Sequence, residues 1–368
     1  MVQNKLKSDV RILLVIVSLL IILGLIFIYS ASSVYALEKF GAAHYFLKKQ
    51  IIYLCLGIIS FLIFAILPMS FWKKHIPIFF LISLLVTSMT MLPKTGFRIH
   101  GSSRWLSLFG FSFQPSEFLK LFLFMYIGYF LEKKQKKIES FWNSYLPFLM
   151  ILGVTFVILL KQPDFGSVIT IFATSVALLF IAEFNILHLF ITVMCSFPLI
   201  IALIYSQKYR LDRILIFLNP WADPKGRGFQ IIQSLIAIGS GSLWGLGISN
   251  SRQKFFYLPM QHTDFIFSII AEETGFVGSC FIILLYLLFC YFGLRIALQL
   301  KENLFAFFTT LGFVVLICLQ ACVNLMVTTG LLPTKGLGLP FVSYGGTSLI
   351  AVLSMIGLIV NFSRKQRW

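Results

Sequence analysis

Acidic side chains are scarce: 13 Asp and Glu stand against 30 Lys and Arg in 368 residues. Charge of either sign makes up 12% of the chain, where soluble domains carry about a quarter, and mean hydropathy is +0.93. A water-soluble globular protein is thereby excluded. A disulfide framework is missing too. Cys55, Cys195, Cys280, Cys290, Cys318 and Cys322 all fall inside apolar runs rather than exposed loops, and no Cys/His spacing resembles a zinc site. Nor is there an internal repeat of the kind some transporters show.

Long apolar runs are what the sequence has instead. A span needs about 20 apolar residues to cross roughly 30 Å of hydrocarbon at about 1.5 Å per residue. Ten runs qualify, at approximately 12–33, 50–69, 75–92, 116–131, 145–160, 167–183, 187–206, 265–291, 303–328 and 346–362. The first follows Lys5, Lys7 and Arg11 as a signal peptide would, but is about twice the length of a cleavable apolar region, so it reads as a retained span. The expectation is an all-α polytopic membrane protein. One membrane domain covers 1–368, with ten transmembrane helices and a large extracytoplasmic loop, approximately 207–264, between spans seven and eight.

An even number of spans puts both termini on one side. Lys and Arg divide almost evenly between the two sides, but the positive-inside rule applies to short loops. Setting the long loop aside favours cytoplasmic termini. A net charge of +17 would point to nucleic acid in a soluble protein; here the anionic partners expected are lipid headgroups and a phosphorylated lipid, with no nucleic acid.

The irregular sequence concentrates on the outer side. The stretch 249–267 packs Arg252, Lys254, several aromatics, His262 and the lone carboxylate Asp264 ahead of a long apolar helix. Within the long loop, 228–238 places Gln230, Gln233, Ser234 and Ala237 on one helical face and Ile231, Leu235 and Ile238 on another, which predicts a short interfacial or re-entrant helix. Glycines at 239, 241, 245 and 247 have the spacing of a phosphate-binding loop, but no strand precedes them, so a hinge or close packing is expected.

Several of these segments together resemble the SEDS family (FtsW, RodA, SpoVE). They are Gln114-Pro115-Ser116-Glu117, Gln162-Pro163-Asp164-Phe165-Gly166, Gly228-Phe229-Gln230 onward to Gly239-Ser240-Gly241, the 250–259 and 262–267 stretches, Pro333-Thr334-Lys335-Gly336, and Leu339-Pro340-Phe341-Val342-Ser343-Tyr344-Gly345-Gly346. The resemblance covers about residues 24 to 362, and Ser251-Arg252-Gln253-Lys254 with Pro333-Thr334-Lys335-Gly336-Leu337 look like the FtsW/SpoVE branch rather than RodA. Two positions depart from the family pattern: Met260 stands where Glu is common, and His100 where Asn is.

The resemblance implies a ten-helix enzyme of the bacterial cytoplasmic membrane. It would be an inverting glycosyltransferase that polymerises lipid II, an undecaprenyl-diphosphate-linked disaccharide-peptide, into glycan strands on the outer face for septal synthesis. It also implies work with a class B penicillin-binding protein and other division proteins, and a divalent cation (Mg or Mn).

Such a reaction needs a base for the acceptor proton and positive charge for the leaving diphosphate. Asp264 is the family's catalytic aspartate by motif position, although Asp ahead of an apolar helix is also an ordinary N-cap. Lys335, Arg213, Arg210, Arg252, Lys254 and Arg104 are the candidates for the diphosphate and glycan. Taken singly, a loop cation more often contacts a lipid headgroup than a ligand. Lys335 leads because its Gly/Pro-rich surroundings let backbone approach phosphate closely. His262 and Ser343 join the substrate-binding candidates. Glu117 and Lys120, three apart, share a helical face and should pair with each other, and the pair is also expected to border the active cavity among the substrate-binding candidates. Asp164 is expected to cap the sixth span, and Glu272 and Glu273 to form an internal ion-pair or hydrogen-bond site. A lipid II flippase and a non-catalytic division scaffold are the alternatives that remain open at this stage.

Overall fold

The structure is a computed structural model and describes residues 2–92, 96–99, 102–108, 111–135, 138, 140–254, 259 and 261–364. His100, Met260 and residues 255–258 of the motif stretch lie outside the described residues. Each apolar run becomes a helix, because in hydrocarbon only a helix satisfies every backbone N–H and C=O within its own segment. In chain order these are α1 (Val2–Phe40), α2 (Tyr45–Ile66), α3 (Met69–Met89), α4 (Pro115–Lys134), α5 (Leu146–Lys161, entered through a π-helical turn, Phe141–Tyr145), α6 (Phe165–Ile181) and α7 (Ile186–Tyr205). The long loop then supplies α8 (Lys208–Leu218) and α9 (Phe229–Ser240), and the chain closes with α10 (Ile266–Gln299), α11 (Leu304–Thr328) and α12 (Gly346–Arg364).

Among the described residues eight helices are long and apolar enough to cross a membrane: α1, α2, α3, α5 with its entry turn, α7, α10, α11 and α12. The other two expected spans form α4, which carries Glu117, Lys120 and Glu132, and α6, which has 17 residues. The expected short helix within 228–238 is α9. Its burial follows Ile231, Ile232, Ser234 and Ala237 rather than one of the two faces read from the sequence. The hydroxyl of Ser234 explains this, since it meets Ser268 Oγ at 2.6 Å and donates to the Thr328 carbonyl at 2.6 Å.

The helices present two ends. At the end of the termini, Asp9 pairs with Arg295 at 3.1 Å and Lys73 with Glu132 at 2.7 Å, while the Phe305 and Phe362 rings meet edge to face. The opposite end gathers α8, α9, the 329–345 segment and a small antiparallel sheet. Strands β1 (Gly96–Ile99), β2 (Ser102–Leu108) and β3 (Phe111–Phe113) lie in that order. The all-α expectation therefore holds apart from this sheet. Its strands are too short to stand out by periodicity beside apolar runs of 20 residues.

One helix is broken. Gly275, at φ +67° inside α10, divides a first segment ending at Thr274 from the long remainder. The glycine-rich segment after α9 is laid into the break: Leu246 N–H and Gly247 N–H donate to the Glu272 and Glu273 carbonyls, both at 3.0 Å. In return the Ser242 and Leu243 carbonyls accept from Phe276 and Val277 N–H. Gly245, at φ +80°, lies so close that a Cβ there would fall on the Glu273 carbonyl oxygen. Gly241 and Gly245 serve close packing of backbone against backbone, as the lack of a preceding strand suggested, whereas a Cβ at Gly239 would meet nothing.

Candidate active site

A cleft opens at the sheet-bearing end, lined by Arg104, Asp164, Arg210, Arg213, Thr334, Lys335 and Gly336, with Pro163, Phe165, Gly166, Tyr209 and Pro333. It unites four of the predicted cations from three separate segments. Arg104 comes from β2, Arg210 and Arg213 from α8, and Lys335 from the segment after α11.

Each cation is held by its neighbours. The Arg104 Nε donates to the Gln162 carbonyl at 3.1 Å, one terminal nitrogen donates to the Pro163 carbonyl, and the other lies 3.6 Å from Asp164 Oδ1. Asp164 in turn caps α6, accepting from Ser167 N–H at 3.3 Å and Ser167 Oγ at 2.8 Å. Arg210 is buried, donates to the Tyr209 hydroxyl at 2.9 Å and the Leu203 carbonyl at 2.7 Å, and lies 5.2 Å above the Phe165 ring. Arg213 donates to the Thr334 carbonyl at 3.1 Å, linking α8 to the Lys335 segment. Half-buried Lys335 has its pKa lowered by burial.

Asp264 lies behind Gly336. A Cβ on that glycine would stand 3.6 Å from Asp264 Oδ2 and 3.8 Å from Arg104 Nη1, so Gly336 lies against both groups. Burial pushes the Asp264 carboxyl up to about 6, against the pull of Arg213 and then Arg104. Its backbone does not follow the N-cap geometry that the sequence allowed: Phe265 takes the cap position of α10. The Asp264 carbonyl instead accepts from Asn324 Nδ2 on α11 at 2.8 Å, and the same nitrogen donates to the Leu337 carbonyl at 2.7 Å.

The remaining candidates stand elsewhere. Ser343 braces backbone, donating from Oγ to the Thr263 carbonyl at 2.6 Å and accepting from Leu339 N–H at 2.7 Å. His262 sits among the rings of Phe46, Tyr344 and Tyr35, at 4.4, 5.6 and 6.0 Å, and burial lowers its pKa to about 4, so it is neutral. Glu117 and Lys120 form a buried ion pair at 2.7 Å within α4 and do not line the cleft. Lys254 is buried, 3.6 Å from Glu273 Oε1, and donates to the Ser249 carbonyl. The Arg252 side chain is exposed and outside the cleft, while its N–H donates to Glu272 Oε1 at 2.9 Å. Glu272 also accepts from Ser251 Oγ, and Glu273 from Ser30 Oγ at 2.6 and 2.8 Å. The two glutamates thus grip the start of the motif stretch, as an internal hydrogen-bond site should.

Among the described residues no three His, Cys, Asp or Glu side chains come together. The charge facing Asp264 comes from the guanidinium groups of Arg213 and Arg104.

Sequence reasoning passed over Asn324, Tyr209 and Gln162. Asn324 carried a signal, a primary amide with Gln320 near the end of a largely apolar helix, but its partners lie far off in the chain.

A family model described as "Cell cycle protein", for FtsW, RodA and SpoVE, matches residues 10–368. Among curated proteins, the chain is 40% identical to a probable peptidoglycan glycosyltransferase FtsW from Geobacter sp. (strain M18), covering 97% of each. It is 39% identical to Stage V sporulation protein E of Bacillus subtilis (strain 168), covering 98% of this chain and 99% of that one. Among solved structures it superposes with a TM-score of 0.79 on a chain of a peptidoglycan synthase complex studied for the coordination of polymerization and crosslinking, at 29% identity, covering 96% of this chain and 97% of the other. The rod shape determining protein RodA of Thermus thermophilus superposes with a TM-score of 0.70 at 26% identity, covering 97% of each.

Proposed function

This chain belongs to the FtsW, RodA and SpoVE family of cell cycle proteins, and from that premise we propose how it acts as a peptidoglycan glycosyltransferase in cell division. Its substrate is lipid II, polymerised on the outer face of the bacterial cytoplasmic membrane with both termini in the cytoplasm. Asp264 accepts the proton of the acceptor sugar hydroxyl as the new oxygen–carbon bond forms. The bond from the donor anomeric carbon to the diphosphate breaks on the opposite side, inverting the centre, and the electron pair leaves with the diphosphate. Arg104, Arg210, Arg213 and Lys335 stabilise that charge.

The observation that carries this reading is one carboxylate, poised at about 6 by burial, beside a cleft lined by four cations. A base titrating near the working pH is well matched to proton transfer. The likeness to a peptidoglycan synthase complex supports a class B penicillin-binding protein as the crosslinking partner. A flippase would use Glu117, Lys120, Glu272 and Glu273 to line a polar path, but these are engaged with one another, with the motif stretch or with Ser30 of α1, which favours the enzyme.

The test is polymerisation of labelled lipid II in detergent, where transport has no meaning, by the purified chain with its partner. Asp264→Asn should fold and make no polymer. Glycan of parental length and rate from that variant would remove the base assignment, and lipid scrambling in vesicles without polymerisation would favour the flippase.

A further inference from the structure

We propose that Asn324 is a positioning residue that fixes the spacing between the Asp264 carboxylate and the segment carrying Lys335 and Gly336. The inference rests on the reading of Asp264 as the base. Both N–H groups of the Asn324 amide are used, one on the carbonyl of Asp264 and one on that of Leu337, at 2.8 and 2.7 Å. One planar group of fixed size thereby sets the separation of the two backbone segments at Asp264 and Leu337 themselves, while Ser343 joins them one residue further out at Thr263 and Leu339. Asn324 is 1% exposed and its Oδ1 has no hydrogen-bond partner. A buried acceptor left unpaired is a net cost to folding, so the residue is poorly explained as a means of stabilising α11. Its use lies in the two donors.

Asn361 provides an internal comparison. On α12, at the end of the termini, its Nδ2 donates to the Phe64 and Leu67 carbonyls at 2.9 and 2.6 Å, and its Oδ1 is likewise buried and unpaired. The device is the same; only the tied segments differ. Truncation should cost similar stability at either place, while only Asn324 should affect the chemistry. A misplacement on the order of 1 Å at a reacting group costs about 10²-fold in rate. Loosening the 335–337 segment would also admit water to Asp264, relieving the burial that raises its pKa.

The experiment measures kcat, the acid limb of the pH–rate profile and thermal stability for the purified full-length chain with its partner, comparing Asn324→Ala with Asn361→Ala and Asp264→Asn. Expected are similar losses of thermal stability in the two asparagine variants. For Asn324→Ala alone, kcat should fall about 10²-fold and the acid limb should move below the parental value. If Asn324→Ala cannot be purified, Asn324→Ser, which keeps one donor, is compared with Asn361→Ser in the same measurements. Indistinguishable kinetics for the two asparagine variants, with Asp264→Asn inactive, would overturn the positioning role and leave the base assignment standing. An active Asp264→Asn would remove both.

Discussion

Below about pH 6 the Asp264 carboxyl carries a proton and cannot accept another, so polymerisation should fall tenfold per pH unit on the acid side of that value. The same shift acts on stability. The folded chain holds this proton up to about 6, while the ordinary value is 3.8, so stability conferred by the group at low pH is lost as pH rises through that window. Asp264→Asn should therefore melt at a higher temperature than the parent at neutral pH while being inactive. Gly336→Ala tests access: its methyl would sit at ordinary contact distance from Asp264 Oδ2 and Arg104 Nη1. The variant should keep the parental melting temperature yet lose polymerisation by an order of magnitude or more, as an acceptor hydroxyl can no longer approach. For the buried Glu117–Lys120 pair, removing either partner should cost about 3–5 kcal/mol, and Glu117→Leu with Lys120→Met much less than the two single losses combined. A double-mutant cycle of denaturation measurements reads this out. At this scale residue types were legible but partners were not: the sequence offers Lys254 and Arg104 as equivalent loop cations, and only folding separates one paired with Glu273 from one lining the cleft.

Among the elements, every apolar run formed a helix because hydrocarbon leaves the backbone no alternative. The break in α10 was hidden because, although Glu272, Glu273 and Thr274 interrupt the apolar run just before Gly275, nothing local shows which distant segment lies against them. It is defined instead by a segment some thirty residues earlier. Gly245→Ala should accordingly lose about 1–3 kcal/mol through its positive φ alone, and more through collision with the Glu273 carbonyl. The first segment of α10 would then be displaced. Loss of protection of the Leu246 and Gly247 amides in hydrogen exchange would report it, and unchanged protection would contradict the proposed splice.

For the whole molecule, the two-ended arrangement was legible through the alternation of spans, and the concentration of cations at the sheet-bearing end was visible as an excess that the positive-inside rule did not explain. Convergence of four of those cations on one cleft was not legible, because the segments that carry them are spread from residue 104 to residue 335. In a background without the native thiols, cysteines placed at Lys5 and at Lys225 should react with a membrane-impermeant reagent from opposite faces of the membrane, the latter from outside. Reaction of both from one face would refute the arrangement.

Synthesis gives these same long-range hydrogen bonds an order in time. When Asp264 leaves the ribosome, the amide that will hold its carbonyl is still 60 residues from being made. The hydroxyl that will hold the neighbouring Thr263 carbonyl is 80 residues away. A nascent chain already displaying its aspartate and most of its cations has no assembled catalytic corner until α11 is inserted and the segment after it folds back. A prematurely terminated chain would thus sit in the membrane without the means to consume substrate.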